Sequence, residues 1–400
     1  MNRLNIILLN INAYAGYPGK DMAGAMRVRN IFDPLVEDPN IQIANLIPLN
    51  LLELQYQNDR STQRREIDCL SIGYTKIYNP LSLWHYWRKG CSFISQRFDK
   101  KNCNIIYNYE SPDIRNIIFL LYGKWKGYRI IVDIVEDKAH DHRKRLNDKI
   151  QVALSLMMLK SLRHYADAVL VISSHLFNKL QAYTQKKLPV ILLPVSVNME
   201  RLLSQNPEKK QQGPLNIFYG GSFAPKDGLD QLIKAFKSLK HTNRPAKLIL
   251  SGRGRPEDMK IVLDEISNHP GIEYRGFLST ADYFQTLQEA DICCMTRNNS
   301  AFANAGFPFK LGEFLAAGKV VIASEVGDVK RYLTHLKNSF LIQPGNAEAI
   351  AEALTECINR YDELSKSMGP AAREIAEIHF SAKKSSNRVK QVIASLCGKP

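Results

Sequence analysis

The residues best suited to chemistry lie between Asn298 and Ser324. A polar, glycine-containing run, Asn298-Asn299-Ser300-Ala301-Phe302-Ala303-Asn304-Ala305-Gly306-Phe307-Pro308-Phe309, opens a segment of helical spacing. Glu313 falls near its first turn and Gly318 marks its end. The first amides of a helix lack intrahelical partners, so the backbone from Gly306 to Phe309 is placed to hold phosphate or sugar oxygens. The Glu313 carboxylate is equally suited to accept hydrogen bonds from vicinal hydroxyls. It would also favour the helix dipole with no ligand at all.

Two more segments invite an anion. Gly220-Gly221-Ser222-Phe223-Ala224-Pro225-Lys226-Asp227-Gly228 combines adjacent glycines, a hydroxyl, a lysine and a following helix, the makings of an anion nest. Ser251-Gly252-Arg253-Gly254 is a second glycine-rich strand exit with a cation. Each alone is compatible with a bare tight turn, but at corresponding strand ends they favour a phosphate-containing ligand. Near the start, Gly16 and Gly19 sit in a turn that lets backbone approach a ligand closely, ahead of Arg27 and Arg29 on a helix.

Short aliphatic runs position these loops. Leu4 to Leu9, Ile41 to Ile47, Ile105 to Tyr107, Arg129 to Ile134, Ala168 to Ile172 and Val190 to Leu193 alternate with helical patterns, as βαβ units with a parallel sheet require. After the turn-rich stretch 204–214 the rhythm restarts: Asn216 to Tyr219, Lys247 to Leu250, Ile272 to Tyr274, Ile292 to Met295, Val320 to Ala323 and Phe340 to Ile342. Helical spacing recurs over Gly228 to Lys240, Lys310 to Ala317 and Ala347 to Tyr361. In open parallel sheets ligands bind beyond the carboxyl ends of the strands, where all these loops lie.

A chain of 400 residues exceeds one core, so two domains are expected. No apolar run reaches the roughly 20 residues of a membrane span. The N-terminus lacks the features of a signal peptide and reads as a buried first strand of a cytoplasmic protein. Seven cysteines without C-x-x-C spacing, two of them the adjacent Cys293 and Cys294 in an apolar run, indicate reduced thiols and neither a disulfide nor a zinc site. The net charge of +15 concentrates anions. Its basic clusters, Lys124, Lys126 and Arg129, then Arg143, Lys144 and Arg145, are in the first half, which makes that half the candidate for a membrane or a phosphate-bearing acceptor. The basic residues are otherwise scattered, without a nucleic-acid-binding module, so no nucleic acid is expected.

The Asn298–Ser324 stretch resembles the donor-site signature of family-4 retaining glycosyltransferases of the GT-B fold, glycosyl transferases group 1. There two glutamates with seven residues between them precede A-x-G-x-P-V-I. The similarity extends through Tyr219-Gly220-Gly221-Ser222 with Gly228, Leu250-Ser251-Gly252-Arg253-Gly254 and Tyr274-Arg275-Gly276-Phe277-Leu278 to Ala290-Asp291-Ile292. In the first half it covers Ala166 to Ser173 and Leu193 to Asn198.

The resemblance implies an α/β protein of GT-B type, two Rossmann-like domains with a donor cleft between them. Residues 1–196 would form the acceptor-side domain, 197–378 the nucleotide-sugar donor domain, and 379–400 a helix returning to the first. It implies that Glu313 binds the nucleotide ribose, that Gly306, Phe307, Pro308 and Phe309 contact the sugar or diphosphate, that the base lies near Phe277 and Leu278, and that the diphosphate lies near Gly221 and Lys226. Three positions depart from the pattern. The first glutamate falls at Ala305, removing the carboxylate that grips the donor hexose. The phosphate-binding arginine falls at Ser222 and the lysine at Asp227, one place after Lys226, so neutralisation passes to Lys226, Arg253 or Lys310. The histidine after the Ile130–Ile134 strand is replaced by Glu136 and Asp137, with His140 and His142 close by.

The implied activity is retaining transfer of a hexose or related sugar from a UDP- or GDP-sugar to a glycan or lipid-linked acceptor of surface polysaccharide. Glu136, Lys226 and Glu313 are its catalytic candidates. Turnover without metal or cofactor is expected, as is a peripheral contact with anionic membrane. The alternatives are a GT-B protein that binds a nucleotide sugar or a protein partner without catalysis, and a relative that modifies sugar nucleotides without transfer, such as an epimerase.

Overall fold

The structure is a computed structural model, and it describes residues 3–14, 22–50, 67–74, 80–112, 116–137, 146–203, 213–267 and 269–398. Gly16, Gly19, His140, His142 and Arg143 to Arg145 lie outside the described residues.

The chain divides into two compact units, the first formed by Met1–Pro194 with Ala382–Pro400, the second by Val195–Ser381. The first is built on seven strands: β1 (Leu4–Leu9), β2 (Ile41–Asn50), β3 (Asp68–Tyr74), β4 (Cys103–Tyr109), β5 (Arg129–Ile134), β6 (Ala168–Val171) and β7 (Val190–Leu192). They are ordered β3-β2-β1-β4-β5-β6-β7, and every pair is parallel. Ile6 to Leu9, Ile130 to Val132 and Ala168 to Val171 are all but fully buried, because helices cover both faces of such a sheet. That is why these strands read as continuous apolar runs rather than alternating ones. β3 is the strand sequence patterning misses. As an edge strand it is only partly buried, and Asp68, Cys69, Ser71 and Gly73 interrupt its apolar character.

The closing helix Ala382–Leu396 packs on Met22–Val36, with Lys390 Nζ 3.1 Å from an Asp38 carboxylate oxygen. Just beyond it Cys397 is disulfide-bonded to Cys103 at the start of β4, with their Cα atoms 5.8 Å apart. This corrects the expectation of wholly reduced cysteines. A pairing across 294 positions leaves no local spacing signal. The interior thiols do match that expectation: Cys293 and Cys294 are buried and free, and burial pushes the Cys293 thiol up to about 12.

The second unit carries β8 (Leu215–Ser222), β9 (Ala246–Arg253), β10 (Ile272–Tyr274), β11 (Ile292–Met295), β12 (Val320–Ser324) and β13 (Phe340–Ile342), ordered β10-β9-β8-β11-β12-β13 and parallel throughout. Its core gathers Leu215, Ile217, Leu232, Leu250, Ile322 and Leu354 among others. Each such side chain stabilises by about 1.5–3 kcal/mol on burial. The chain's entry into this unit and its exit are joined: Val197 N–H donates to the Phe380 carbonyl at 2.7 Å.

Candidate functional site

β8 runs further than its aliphatic core suggests, through Gly220 and Gly221 to Ser222, paired with Ser251, Gly252 and Arg253 of β9. Those glycines are therefore extended strand rather than loop. They are needed for close approach: a Cβ on Gly252 would overlap the Gly221 carbonyl oxygen, and one on Gly220 would lie 2.6 Å from the Phe218 ring and 2.8 Å from that of Tyr283. The turn proper is a short 3-10 helix, Pro225–Asp227, closed by Gly228 at φ 64°, where a side chain would strike the Thr296 carbonyl. Asp227 points inward to Arg297, 3.2 Å away, and is buried. Lys226 is thereby left as the half-buried cation of the loop. Its ammonium sits 4.0 Å from the centroid of the Phe302 ring, and its carbonyl accepts from Asn298 N–H at 3.0 Å.

At the end of β9 the exposed Arg253 lays its guanidinium 4.2 Å over the ring of Phe277, itself 49% exposed. The backbone beneath is tied in place: Tyr274 Oη donates to the Gly252 carbonyl at 2.9 Å and Ser251 Oγ to that of Gly276 at 3.1 Å. Leu278 is half-buried beside Phe277.

After β11, Ser300 caps the short helix Ala301–Ala305 by accepting from Ala303 N–H. Ala305 is 1% exposed, and its methyl presents nothing to a sugar. Gly306 is extended, and the Phe307 ring is buried against Tyr332 and Phe380, at 5.5 Å from each centroid. Only the backbone of Phe307 is then left to face a ligand. Pro308 caps the helix Phe309–Ala316, its carbonyl accepting from Leu311 N–H at 3.2 Å, and the amides of Phe309 and Lys310 precede any intrahelical acceptor. Glu313, half-buried, accepts from Tyr283 Oη at 2.8 Å on Oε2, and Lys310 Nζ lies 3.4 Å from the same oxygen.

These loops follow β8, β9, β10 and β11, which are neighbours in the order β10-β9-β8-β11 and run the same way. One edge of one sheet therefore carries three cations, Lys226, Arg253 and Lys310, an exposed aromatic face, a helix N-terminus and a carboxylate. Such an edge offers complements to a phosphate, a flat base and a diol.

The corresponding edge of the first unit differs. Glu136 is exposed just past β5, whereas its neighbour Asp137 is buried, with Lys179 Nζ 2.7 Å from both its oxygens and His175 Nε2 at 2.9 Å. Within β5, Asp133 takes Arg27 Nε at 2.7 Å and Nη2 at 3.0 Å, and the Tyr107 hydroxyl as well. Arg27 also donates to the carbonyls of Leu193 and Pro194. Burial, followed by the Asp133 charge, pushes the Tyr107 hydroxyl well above its ordinary value, so it remains a donor. Sequence reasoning overlooked Tyr283 and the Asp137–His175–Lys179 cluster. An aspartate inside the apolar run Ile130-Ile131-Val132-Asp133-Ile134 was a signal for a buried partner.

Residues 201–375 match the family described as Glycosyl transferases group 1. The chain is 26% identical over 164 residues to a phosphatidyl-myo-inositol mannosyltransferase of Mycobacterium leprae, covering 40% of this chain and 42% of that protein, so it spans less than half that relative's length. Among solved structures it is similar to HepE of Anabaena in complex with UDP, with a TM-score of 0.71 at 14% identity over 98% of this chain and 100% of that one. It is similar as well to a sucrose-phosphate synthase of Thermosynechococcus elongatus, with a TM-score of 0.72 at 16% identity over 98% and 99% of the two chains. The fold is GT-B, and the group 1 resemblance read from the sequence is borne out across the second unit.

Proposed function

We propose that the protein is a retaining glycosyltransferase that takes a sugar from a nucleoside-diphosphate donor held at the carboxyl edge of the second unit. The observation that carries this reading is the joint placement of Lys226, Arg253 over Phe277, and Glu313 on the loops of four neighbouring strands, within the segment matched by group 1. The UDP bound to HepE, a protein of the same fold, supports the donor class.

In this reading the base lies against Phe277 and Leu278, and Glu313 accepts the ribose hydroxyls. The diphosphate meets the first amides of the Phe309–Ala316 helix, with Lys226, Arg253 or Lys310 balancing its charge. As the sugar–phosphate bond lengthens, negative charge grows on the leaving oxygen, and pre-placed donors and cations stabilise it there more than in the ground state. The acceptor hydroxyl attacks from the same face and passes its proton to the departing phosphate, so no protein nucleophile is required. Ala305 leaves the sugar to be held by backbone and by residues other than the family's first glutamate. Glu136, exposed at the end of β5, orients donor or acceptor.

A thermal-shift screen with UDP, GDP and ADP and their sugar conjugates tests this, because a ligand of the folded state raises Tm. One nucleotide should give a shift that Glu313→Ala abolishes. No shift with any of them sinks the donor reading and leaves the non-catalytic alternative.

The acceptor we propose is a glycan or lipid-linked sugar met at an anionic membrane. Among the described residues, no helix is long and apolar enough to cross a bilayer. The helices Pro80–Gln96 and Ile117–Lys126 pack together and expose Leu81, Trp84, Leu121 and Trp125. Arg88 lies 5.2 Å over Trp84 and Lys126 5.3 Å over Trp125. Aromatic rings beside cations suit a lipid headgroup layer, and the name of the M. leprae relative carries a lipid. Flotation with phosphatidylglycerol vesicles at low salt, lost in Trp84→Ala/Trp125→Ala, is the expected outcome. Equal recovery with and without vesicles overturns the membrane contact.

A further inference from the structure

The glutamate at the heart of the donor reading does not stand alone. Tyr283 belongs to the helix Thr280–Glu289, whose start is fixed by Ser279: its Oγ accepts from Asp282 N–H at 3.2 Å and donates to the Asp282 carboxylate at 2.7 Å. That cap holds the first turn, and with it Tyr283, immediately after the Phe277-Leu278 loop. The tyrosine ring then crosses β8 over Gly220, where only glycine leaves room for it, and packs against Phe218 at 5.8 Å between centroids. Its hydroxyl reaches Glu313 Oε2 at 2.8 Å. Lys310 completes a triangle, with its ammonium 3.6 Å from the centroid of the Tyr283 ring and 3.4 Å from the same Oε2. Burial, then the Glu313 charge, pushes the Tyr283 hydroxyl well above its ordinary value, so it remains a donor.

Both contacts fall on one oxygen. A carboxylate has two, each able to accept, and Glu313 Oε1 takes part in neither contact. We propose that Tyr283 and Lys310 are positioning residues that occupy Oε2 and turn Oε1 toward a diol. Discrimination between ribose and deoxyribose would then depend on the Tyr283 hydroxyl, which itself touches no ligand. The proposal rests on the donor reading above. It also gives Gly220 a reason for being glycine that involves no phosphate.

The test pairs residue against ligand hydroxyl. Affinities of UDP, GDP and their 2′-deoxy counterparts are measured by calorimetry for the wild-type chain, Tyr283→Phe and Lys310→Met. For the diphosphate that binds, the wild type should favour the ribose form by about tenfold, a typical single hydrogen bond to a charged group. Tyr283→Phe should shrink that preference below about threefold while binding the deoxy form as tightly as wild type, which also shows that the variant folds. Lys310→Met should weaken both forms but lower the ratio too, since it removes the second hold on Oε2. An undiminished ratio in both variants overturns the proposal with the donor reading intact. Failure of the wild-type protein to bind either ribonucleotide overturns both.

Discussion

The two sheets end in loops of opposite electrostatic character. At the carboxyl edge of the first unit two carboxylates are buried and paired: Asp133 with Arg27 and Tyr107, and Asp137 with Lys179 and His175. At that of the second, Lys226, Arg253 and Lys310 lie over the faces of Phe302, Phe277 and Tyr283. A carboxylate partner cancels a cation, whereas a ring's quadrupole steadies it and leaves its charge in place for an incoming anion. Lys310 also lies 3.4 Å from a carboxylate oxygen of Glu313. In the proposed reading the same residue types serve architecture in one unit and ligand capture in the other.

The largest effect should come from breaking the buried set. Asp133→Ala strands Arg27 in the interior and should cost about 3–5 kcal/mol in denaturant unfolding. A loss under about 1 kcal/mol would mean the pair is not the structural anchor described. Next, Lys226→Ala and Arg253→Ala should each weaken nucleoside-diphosphate binding about tenfold, or 1.4 kcal/mol, with unfolding free energy changed by no more than about 0.5 kcal/mol. If instead they destabilise the fold and spare binding, the two edges are not different in kind. Salt provides a milder probe. Raising ionic strength from about 0.1 M to about 1 M shortens the Debye length from about 10 Å to about 3 Å and should weaken nucleotide binding several-fold. The fully buried Arg27–Asp133 pair should show no matching change. The smallest effect is expected for Phe302→Leu, which removes the ring under Lys226 and should cost about 0.5–1 kcal/mol of nucleotide affinity.

Much of the fold was legible because a strand buried on both faces has no room for alternation. β1, β5, β10, β11 and β13 have the limits their apolar runs announce. β3 was not, since an edge strand tolerates polar residues, and neither was the extension of β8 through its glycines, whose conformation follows from the crowding of Gly252 and Tyr283. In the site, Glu313, Lys226 and Phe277 could be singled out from loop chemistry and resemblance. The inward turn of Asp227 and the outward turn of Lys226 could not, because Asp227 is drawn to Arg297, 70 positions away in sequence. Tyr283 carries no motif. Its role depends on a contact made 30 positions away.

The hydrogen bond between Val197 and Phe380 has a consequence for the order in which the protein forms. The helix Ala382–Leu396 belongs to the first unit, yet it is separated from the rest of that unit by the whole of the second. While the intervening chain is unfolded, bringing this helix to Met22–Val36 means closing a very long loop, at an entropic cost that grows with its length. Once β8 to β13 have assembled and Val197 has met Phe380, the loop has shrunk to a few residues and the helix arrives at high effective concentration. The unit begun first on the ribosome should therefore be finished last. Pulse-labelling hydrogen exchange during refolding would show this as protection of β8–β13 preceding that of the Ala382–Leu396 helix, and the reverse order would disprove it.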